Sequence, residues 1–282
     1  MLKLTKEQAH RHRQAAELVN SAAPLSKENV EFVLTYWQES SNITNPLDSA
    51  FFTPLALAKD LALHVRGPRV IDLCAGIGTL AWGYRCRYVN DWELDKPPLE
   101  LVCVEKNPDY VAVGRRLLPD ATWIVGDVFD VLTMGLGQFD AALANPPFGR
   151  TARSGRQSPR YRGPLTEYHV IDLAAHLASS GAFIIPQVSA PFRYSGVPKS
   201  EWDYPPAYLR FRAQSGIELG CGIGVNTADS LGDWHGVRPC VEVVRADFTA
   251  GLSATRLLPH AAAPTARSAS TEQQPLLPEP LF

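Results

Sequence analysis

The chain has 282 residues and a formal net charge of −2, enough length for one sizeable domain with appendages, and no global excess of charge to draw it to nucleic acid or an anionic membrane, so any such binding must come from a local patch. It has no run of about 18 apolar residues, and its first residues, with Lys3, Lys6, Glu7, His10, Arg11 and Arg13, lack the apolar core of a signal peptide, so a soluble, cytoplasmic protein without membrane contact is expected. Five cysteines (Cys74, Cys86, Cys103, Cys221, Cys240) form no C-x-x-C pair, which favours reduced thiols over disulfides or a metal site.

Residues 1–50 read as an N-terminal helical segment. Apolar residues at helical spacing run from 6 to 40, with a start at Ser26 ahead of Val30, Phe32, Val33, Leu34 and Trp37. In Phe51-Phe52-Thr53-Pro54, Thr53 can cap and Pro54 can open a helix through Leu55, Ala58, Leu61 and Val65, which Gly67-Pro68 stops. Arg69–Cys74 then reads as a buried strand, followed by Ala75-Gly76-Ile77-Gly78-Thr79 and a helix from Leu80. A strand, a glycine turn and a helix form the first unit of a doubly wound sheet, where ligands gather at the carboxyl ends of the strands. Glycine there lets a ligand approach the backbone. No Gly-Lys-Ser/Thr follows, and the spacing is not G-x-G-x-x-G, so neither a phosphate loop nor a dinucleotide fingerprint is present.

The stretch Arg85–Pro98, with Asn90, Asp91, Glu93, Asp95 and Lys96, reads as a polar insertion. The second strand, Leu99–Val104, ends in Glu105, and Asn107-Pro108 opens a helix to about Leu118. A carboxylate at that tip can accept from both hydroxyls of a ribose. The third strand, Ala121–Val125, ends in Gly126-Asp127, whose carboxylate can accept from an adenine amino group. Either acid alone is more often a solvated loop residue. In series, Asp72 with its glycines, Glu105, Asp127 and Asn145 fall at intervals suited to four successive β-α units.

The fourth strand, Phe139–Ala144, is closed by Asn145-Pro146-Pro147-Phe148. Asn145 offers a side-chain carbonyl, and the prolines cannot join a sheet ladder, so main-chain carbonyls are left to point elsewhere. Phe148 adds a flat apolar face. The set suits a planar amino group, with two acceptors for its hydrogens and a ring for its plane. The same tetrapeptide also reads as an ordinary strand-terminating turn.

Residues 149–165 follow as an arginine-rich loop carrying Arg150, Arg153, Arg156, Arg160 and Arg162 with Tyr161 and no acid before Gly163. Its composition favours disorder when free and contact with a polyanion's backbone when bound. A helix (Glu167–Ser179) and a fifth strand (Gly181–Pro186) come next, then an irregular segment from 187 to 212. Ile217–Val225 and Val241–Phe248 alternate as a closing pair of strands. Within the first of these, Ile217–Gly224 imitates a second strand and glycine loop, but too little chain follows for the remaining strand tips. Residues 251–282, rich in Ala, Pro, Ser and Thr, read as a disordered tail.

On these residues the chain resembles the class I S-adenosylmethionine-dependent methyltransferases, and within them the phage- and prophage-like DNA adenine-N6 enzymes. Asn145-Pro146-Pro147-Phe148 is the most specific part, Phe51-Phe52-Thr53-Pro54 supports DNA over RNA, and the likeness covers about residues 50 to 186. The resemblance implies a Rossmann-like α/β fold over 51–250, with a seven-stranded mostly parallel sheet and helices on both faces. It implies S-adenosyl-L-methionine as cofactor, with Thr53 and the Asp72 to Gly78 loop, including Cys74, Ala75 and Gly76, around its methionine part, Glu105 on the ribose, Asp127 on the adenine, and Asn145 between cofactor and substrate. Asn145, Pro146, Pro147 and Phe148 would be catalytic and the five arginines would hold DNA, its adenine flipped out or single-stranded. No metal is implied. No long target-recognition domain follows the catalytic motif, so relaxed specificity or help from a protein partner or oligomer is expected. Methylation of an RNA base amine or a protein glutamine remains the alternative, as does a non-catalytic nucleic-acid-binding subunit.

Overall fold

The computed structural model describes residues 4–38, 51–91, 96–151 and 155–249. Arg153, Glu93, Asp95, the end of the N-terminal segment (39–50) and the expected tail (251–282) lie outside the described residues.

Two helices come first. In α1 (Lys6–Asn20) Thr5 and Gln8 form a reciprocal capping box, and in α2 (Lys27–Tyr36) the Ser26 hydroxyl accepts from Asn29 N, as its position predicts. Helix α3 (Leu55–Leu61) continues into a 3-10 turn, Ala62–His64. Pro54, with extended backbone, holds the cap position itself, so Thr53 is not the cap and its hydroxyl is used elsewhere.

The β-α units follow in the expected order: β1 (Arg69–Leu73), α4 (Thr79–Asn90), β2 (Glu100–Glu105), α5 (Pro108–Leu117), β3 (Thr122–Val125), β4 (Phe139–Ala144), α6 (Thr166–Leu177) and β5 (Ala178–Pro186). A small antiparallel pair, β6 (Phe192–Arg193) and β7 (Glu201–Trp202), then precedes α7 (Pro206–Ser215), β8 (Gly220–Cys221) and β9 (Val241–Asp247). The main sheet has seven strands in the order β3-β2-β1-β4-β5-β9-β8, parallel from β3 to β5, with β9 antiparallel to β5.

Alternation along the strands divides the core. Val70, Leu101, Cys103, Leu143 and Ile184 join the residues of α1 to α5, whereas Ile71, Val102, Val104, Ala144 and Phe183 join those of α6 and α7. Helices therefore cover both faces, which is why strands buried on both sides read as continuous apolar runs.

Two further expectations need correction. The polar stretch from Arg85 is helical through Asn90, because tertiary partners take up its polar groups: Arg87 Nη1 donates to Ala62 O at 2.8 Å and Tyr88 Oη to Pro97 O at 2.6 Å. The segment 187–212 holds β6, β7 and most of α7, whose Pro206 sits in the first turn, where a missing N–H costs nothing. Of the expected closing pair, Ile217–Val225 holds the short edge strand β8, paired with β9, and a Cβ on Gly222 would meet Val243 O at 2.8 Å, so glycine there serves strand packing.

Candidate active site

The carboxyl ends of β1 to β4 open into one cavity of about 570 Å³, lined by Cys74, Ala75 and Gly76 after β1, Glu105 at the end of β2, Gly126 and Asp127 after β3, and Asn145 to Phe148 after β4. Phe51, Phe52 and Thr53 close it from the start of α3. Four separate strand ends thus meet in one place.

The glycine turn is held by the second strand tip. Ala75 N donates to Val104 O at 3.0 Å, and Gly76 N donates to Glu105 Oε2 at 2.8 Å. The other carboxylate oxygen, Oε1, accepts from Asn107 N at 2.8 Å. Glu105 therefore shapes the cavity wall. Gly76 has φ +57, and a Cβ there would lie 3.1 Å from the Phe52 ring, so a side chain would push into the cavity's aromatic wall. Cys74 has φ +63, the one non-glycine residue among those described in the left-handed region. Burial, then the nearby Glu105, Asp72 and Asp127, push its thiol well above the ordinary range, so it is a neutral lining group rather than a nucleophile.

Two of the residues assigned to this turn do not reach the cavity. Asp72 lies within β1, 1% exposed, with Oδ2 accepting from Ala81 N at 3.1 Å inside the first turn of α4. It fastens the helix to the strand beneath the site. Burial raises its pKa to about 8, and its Oδ1 has no hydrogen-bond partner. Gly78, at φ +93, is the cap residue of α4, where a Cβ would meet Leu118 and Trp123 at 3.0 Å.

Asn145 has the most informative environment. Its Nδ2 donates to Phe51 O at 2.9 Å and to Thr53 Oγ1 at 3.0 Å. Because a main-chain carbonyl only accepts, the amide cannot be turned the other way. Its Oδ1 is left buried and without a partner. A buried amide oxygen with no donor is uncommon in a folded protein. Sequence reasoning placed Thr53 near a cofactor but missed that it orients Asn145, since nothing local links residues 92 apart.

Asp127 caps the 3-10 turn Val128–Thr133, with Oδ1 accepting from Phe129 N at 3.0 Å. Its Oδ2 lies 3.6 Å from Lys106 Nζ and 3.5 Å from Arg156 Nη1. Lys106, Asn107, Val128 and Phe129 also line the cavity and were not singled out from sequence. The available signal was their place one or two residues beyond an acidic strand tip.

The arginine-rich loop departs from its composition. Residues 156–163 are packed on α6, with Ser158 and Tyr161 fully buried. Arg160 N and Tyr161 N donate to Asp172 Oδ2 at 2.8 and 3.0 Å, and Arg160 Nε donates to Oδ1 at 2.7 Å. Burial alone would raise the Asp172 pKa, but these donors and Ser158 outweigh it and hold the carboxyl below its usual range. Ser158 N donates to His169 Nδ1, so His169 carries its proton on Nε2 and donates it to Gly163 O at 2.9 Å. Arg162 Nη2 is turned back to Pro159 O at 2.7 Å, and Arg156 Nη1 pairs with Asp130 at 2.8 Å. Among the described arginines of the loop, Arg150 is the one exposed beside Phe148 without such a bond. Among the described residues no cluster of His, Cys, Asp and Glu could hold a metal ion, and no helix is long and apolar enough to cross a membrane.

No family model and no curated protein matches the sequence. Solved structures do resemble the fold. One described as a modification subunit of a type I restriction enzyme from Vibrio vulnificus aligns with TM-score 0.53 and 11% identity over 82% of this chain and 51% of that one. The type I restriction-modification methyltransferase subunit of Streptococcus thermophilus aligns with TM-score 0.48 and 14% identity over 80% and 51%. A protein described as an RNA methyltransferase from Pyrococcus horikoshii aligns with TM-score 0.46 and 17% identity over 79% and 98%. The chain spans about half the length of the two restriction-modification subunits. The fold is the Rossmann-like class I methyltransferase fold.

Proposed function

We propose that this chain transfers a methyl group from S-adenosyl-L-methionine to the N6 amino group of adenine in DNA. The observation that carries the reading is the Asn145 amide, whose oxygen is buried without a donor while its nitrogen is tied to Phe51 O and Thr53 Oγ1. An exocyclic amine is a planar donor, the group that such an acceptor lacks. The restriction-modification neighbour of the same fold agrees with this choice.

The cavity also fits the cofactor. Glu105 and Asp127 are carboxylates for ribose hydroxyls and an adenine amine, and Ala75 and Gly76 present backbone without a side chain in the way. When bound, the cofactor supplies a methyl already activated by its sulfonium. The protein's part is then position and charge. The adenine N6 lone pair is delocalised into the ring. Asn145 Oδ1 and the Pro146 carbonyl, accepting from the two amino hydrogens, favour a pyramidal nitrogen and stabilise the positive charge that grows on it. Since Asn145 is held by Phe51 and Thr53 before substrate arrives, little reorganisation of that acceptor remains for the reaction itself. Phe148, on the cavity wall, receives the face of a base taken out of its stack. Thiol chemistry at Cys74 is not required. Target choice would be relaxed or assisted by a partner.

The test is incubation of the purified chain with labelled cofactor and, separately, DNA, RNA and protein acceptors. N6-methyladenine in DNA is expected, and long-read sequencing of a host expressing the gene would report base and context together. Label confined to RNA bases or to a glutamine side chain would replace the DNA reading, and cofactor binding without transfer to any acceptor would favour a non-catalytic subunit.

A further inference from the structure

The hairpin after β5 exposes aromatic surface that the fold does not use. Trp202 and Tyr204 are 58% and 47% exposed, and their rings stack on one another, with centroids 6.1 Å apart and planes 21° from parallel. Trp202 also meets the buried Phe192 edge-on at 5.6 Å, and Tyr204 leans toward buried Tyr208 at 6.1 Å. The outer rings are thus braced from beneath by core residues.

This hairpin is tied to the Asn145 corner. Glu167 is fully buried at the start of α6, with Oε2 accepting from Gly149 N at 2.8 Å, one residue beyond Phe148, and Oε1 accepting from Ser189 Oγ at 2.8 Å, where the chain leaves β5. Ser189 O in turn accepts from Tyr168 Oη at 2.6 Å. Further along, the buried Glu242 carboxylate accepts from Tyr194 N at 2.9 Å and from Ser195 Oγ at 2.8 Å, which fixes the first arm of the hairpin. Two buried carboxylates therefore hold the hairpin in one position relative to the residues that receive the amine.

We propose that the Trp202–Tyr204 pair is a stacking platform for an unpaired nucleobase of the DNA strand that carries the target adenine. An exposed aromatic face with no sequence-specific donor or acceptor accepts any base, which suits stacking. Arg193 and Lys199 are exposed on the same hairpin, available to a phosphate, while Glu201 lies opposite Arg193 in the ladder and Asp203 is exposed between the two rings. Stacking rather than charge is thus the main attraction. The proposal rests on the reading that DNA is the substrate and adds where its neighbouring base is held. It gives the hairpin a means of holding a strand with weak sequence preference.

The experiment measures binding of a fluorescent single-stranded deoxyoligonucleotide by anisotropy, in the absence of turnover, for the full chain, the Trp202→Ala, Tyr204→Ala double variant and a Trp202→Phe, Tyr204→Phe variant. The double alanine variant is expected to bind about tenfold more weakly with unchanged affinity for S-adenosylmethionine and unchanged melting temperature, and the phenylalanine variant to keep most of the affinity. Quenching of tryptophan emission on DNA addition should shrink when Trp202 is replaced. Equal affinity of all three forms would overturn the proposal. So would quenching by an oligoribonucleotide alone, or a concentration-dependent dimer that the double variant abolishes, since the aromatic face would then serve RNA or a second copy. Because binding is read without methyl transfer, failure here is separable from failure to methylate DNA, which the labelled-cofactor assay decides.

Discussion

Thr53 Oγ1 accepts a hydrogen bond from Asn145 Nδ2 at 3.0 Å, joining the start of α3 to the end of β4 across 92 residues of chain. The bond fixes which end of the Asn145 amide is left over, and the remaining end is an acceptor. That orientation is the basis of the proposed mechanism.

Replacing Asn145 with Ala removes the acceptor while leaving Glu105, Asp127 and the glycine turn in place. Methyl transfer should fall by about 10²- to 10³-fold, the usual loss of one preorganised electrostatic partner, with cofactor affinity within a few-fold of the parent. Single-turnover transfer and calorimetric titration with the cofactor measure the two quantities. Wild-type turnover in this variant would falsify the acceptor role.

Thr53→Val keeps the shape of the side chain but removes the oxygen that receives the Asn145 N–H. Turnover should drop by about tenfold, in line with the loss of one oriented hydrogen bond, with little change in melting temperature, while Thr53→Ser should restore most of the rate. If valine were as active as threonine, Phe51 O alone would hold the amide.

Asp72 gives a pH signature. Its pKa is about 8 in the folded chain because of burial, against about 3.9 when unfolded. Between those values the unfolded chain has lost a proton that the folded chain keeps. The stability associated with this group is therefore complete below pH ~4 and declines as pH rises toward ~8, by at most roughly 1.4 kcal/mol per unit. Asp72→Asn, which cannot ionise, should flatten that slope. Denaturant unfolding from pH 5 to 8 tests it, and parallel slopes for the two proteins would show that Asp72 is charged in the fold.

The arginines of the loop separate into structural and available ones. Arg160→Gln leaves the fully buried Asp172 without its charged partner and should cost about 3 kcal/mol of stability. Arg150→Gln should leave the melting temperature unchanged, weaken DNA binding at low salt, and lower the slope of log affinity against log salt by about 1. Identical salt slopes for Arg150→Gln and the parent would show that Arg150 meets no phosphate.

What the sequence alone determined is the succession of units and the identity of the strand tips. An apolar strand, its terminal polar residue and the capped helix after it lie within a few residues of one another, so hydrophobic period and capping chemistry locate Glu105, Asp127 and Asn145 without knowledge of the rest. The parallel order then brings those tips to one edge. What only the tertiary structure decided is where each polar group spends its hydrogen bonds. Asp72 looked like a ligand of the turn but is sunk against α4. The arginine loop looked free to meet a polyanion but is drawn onto α6 by Asp172 and His169. Asn145 took its orientation from Phe51 and Thr53. Each outcome depends on a partner that is distant in sequence and adjacent in space, and side-chain type by itself does not reveal which partner folding will place there.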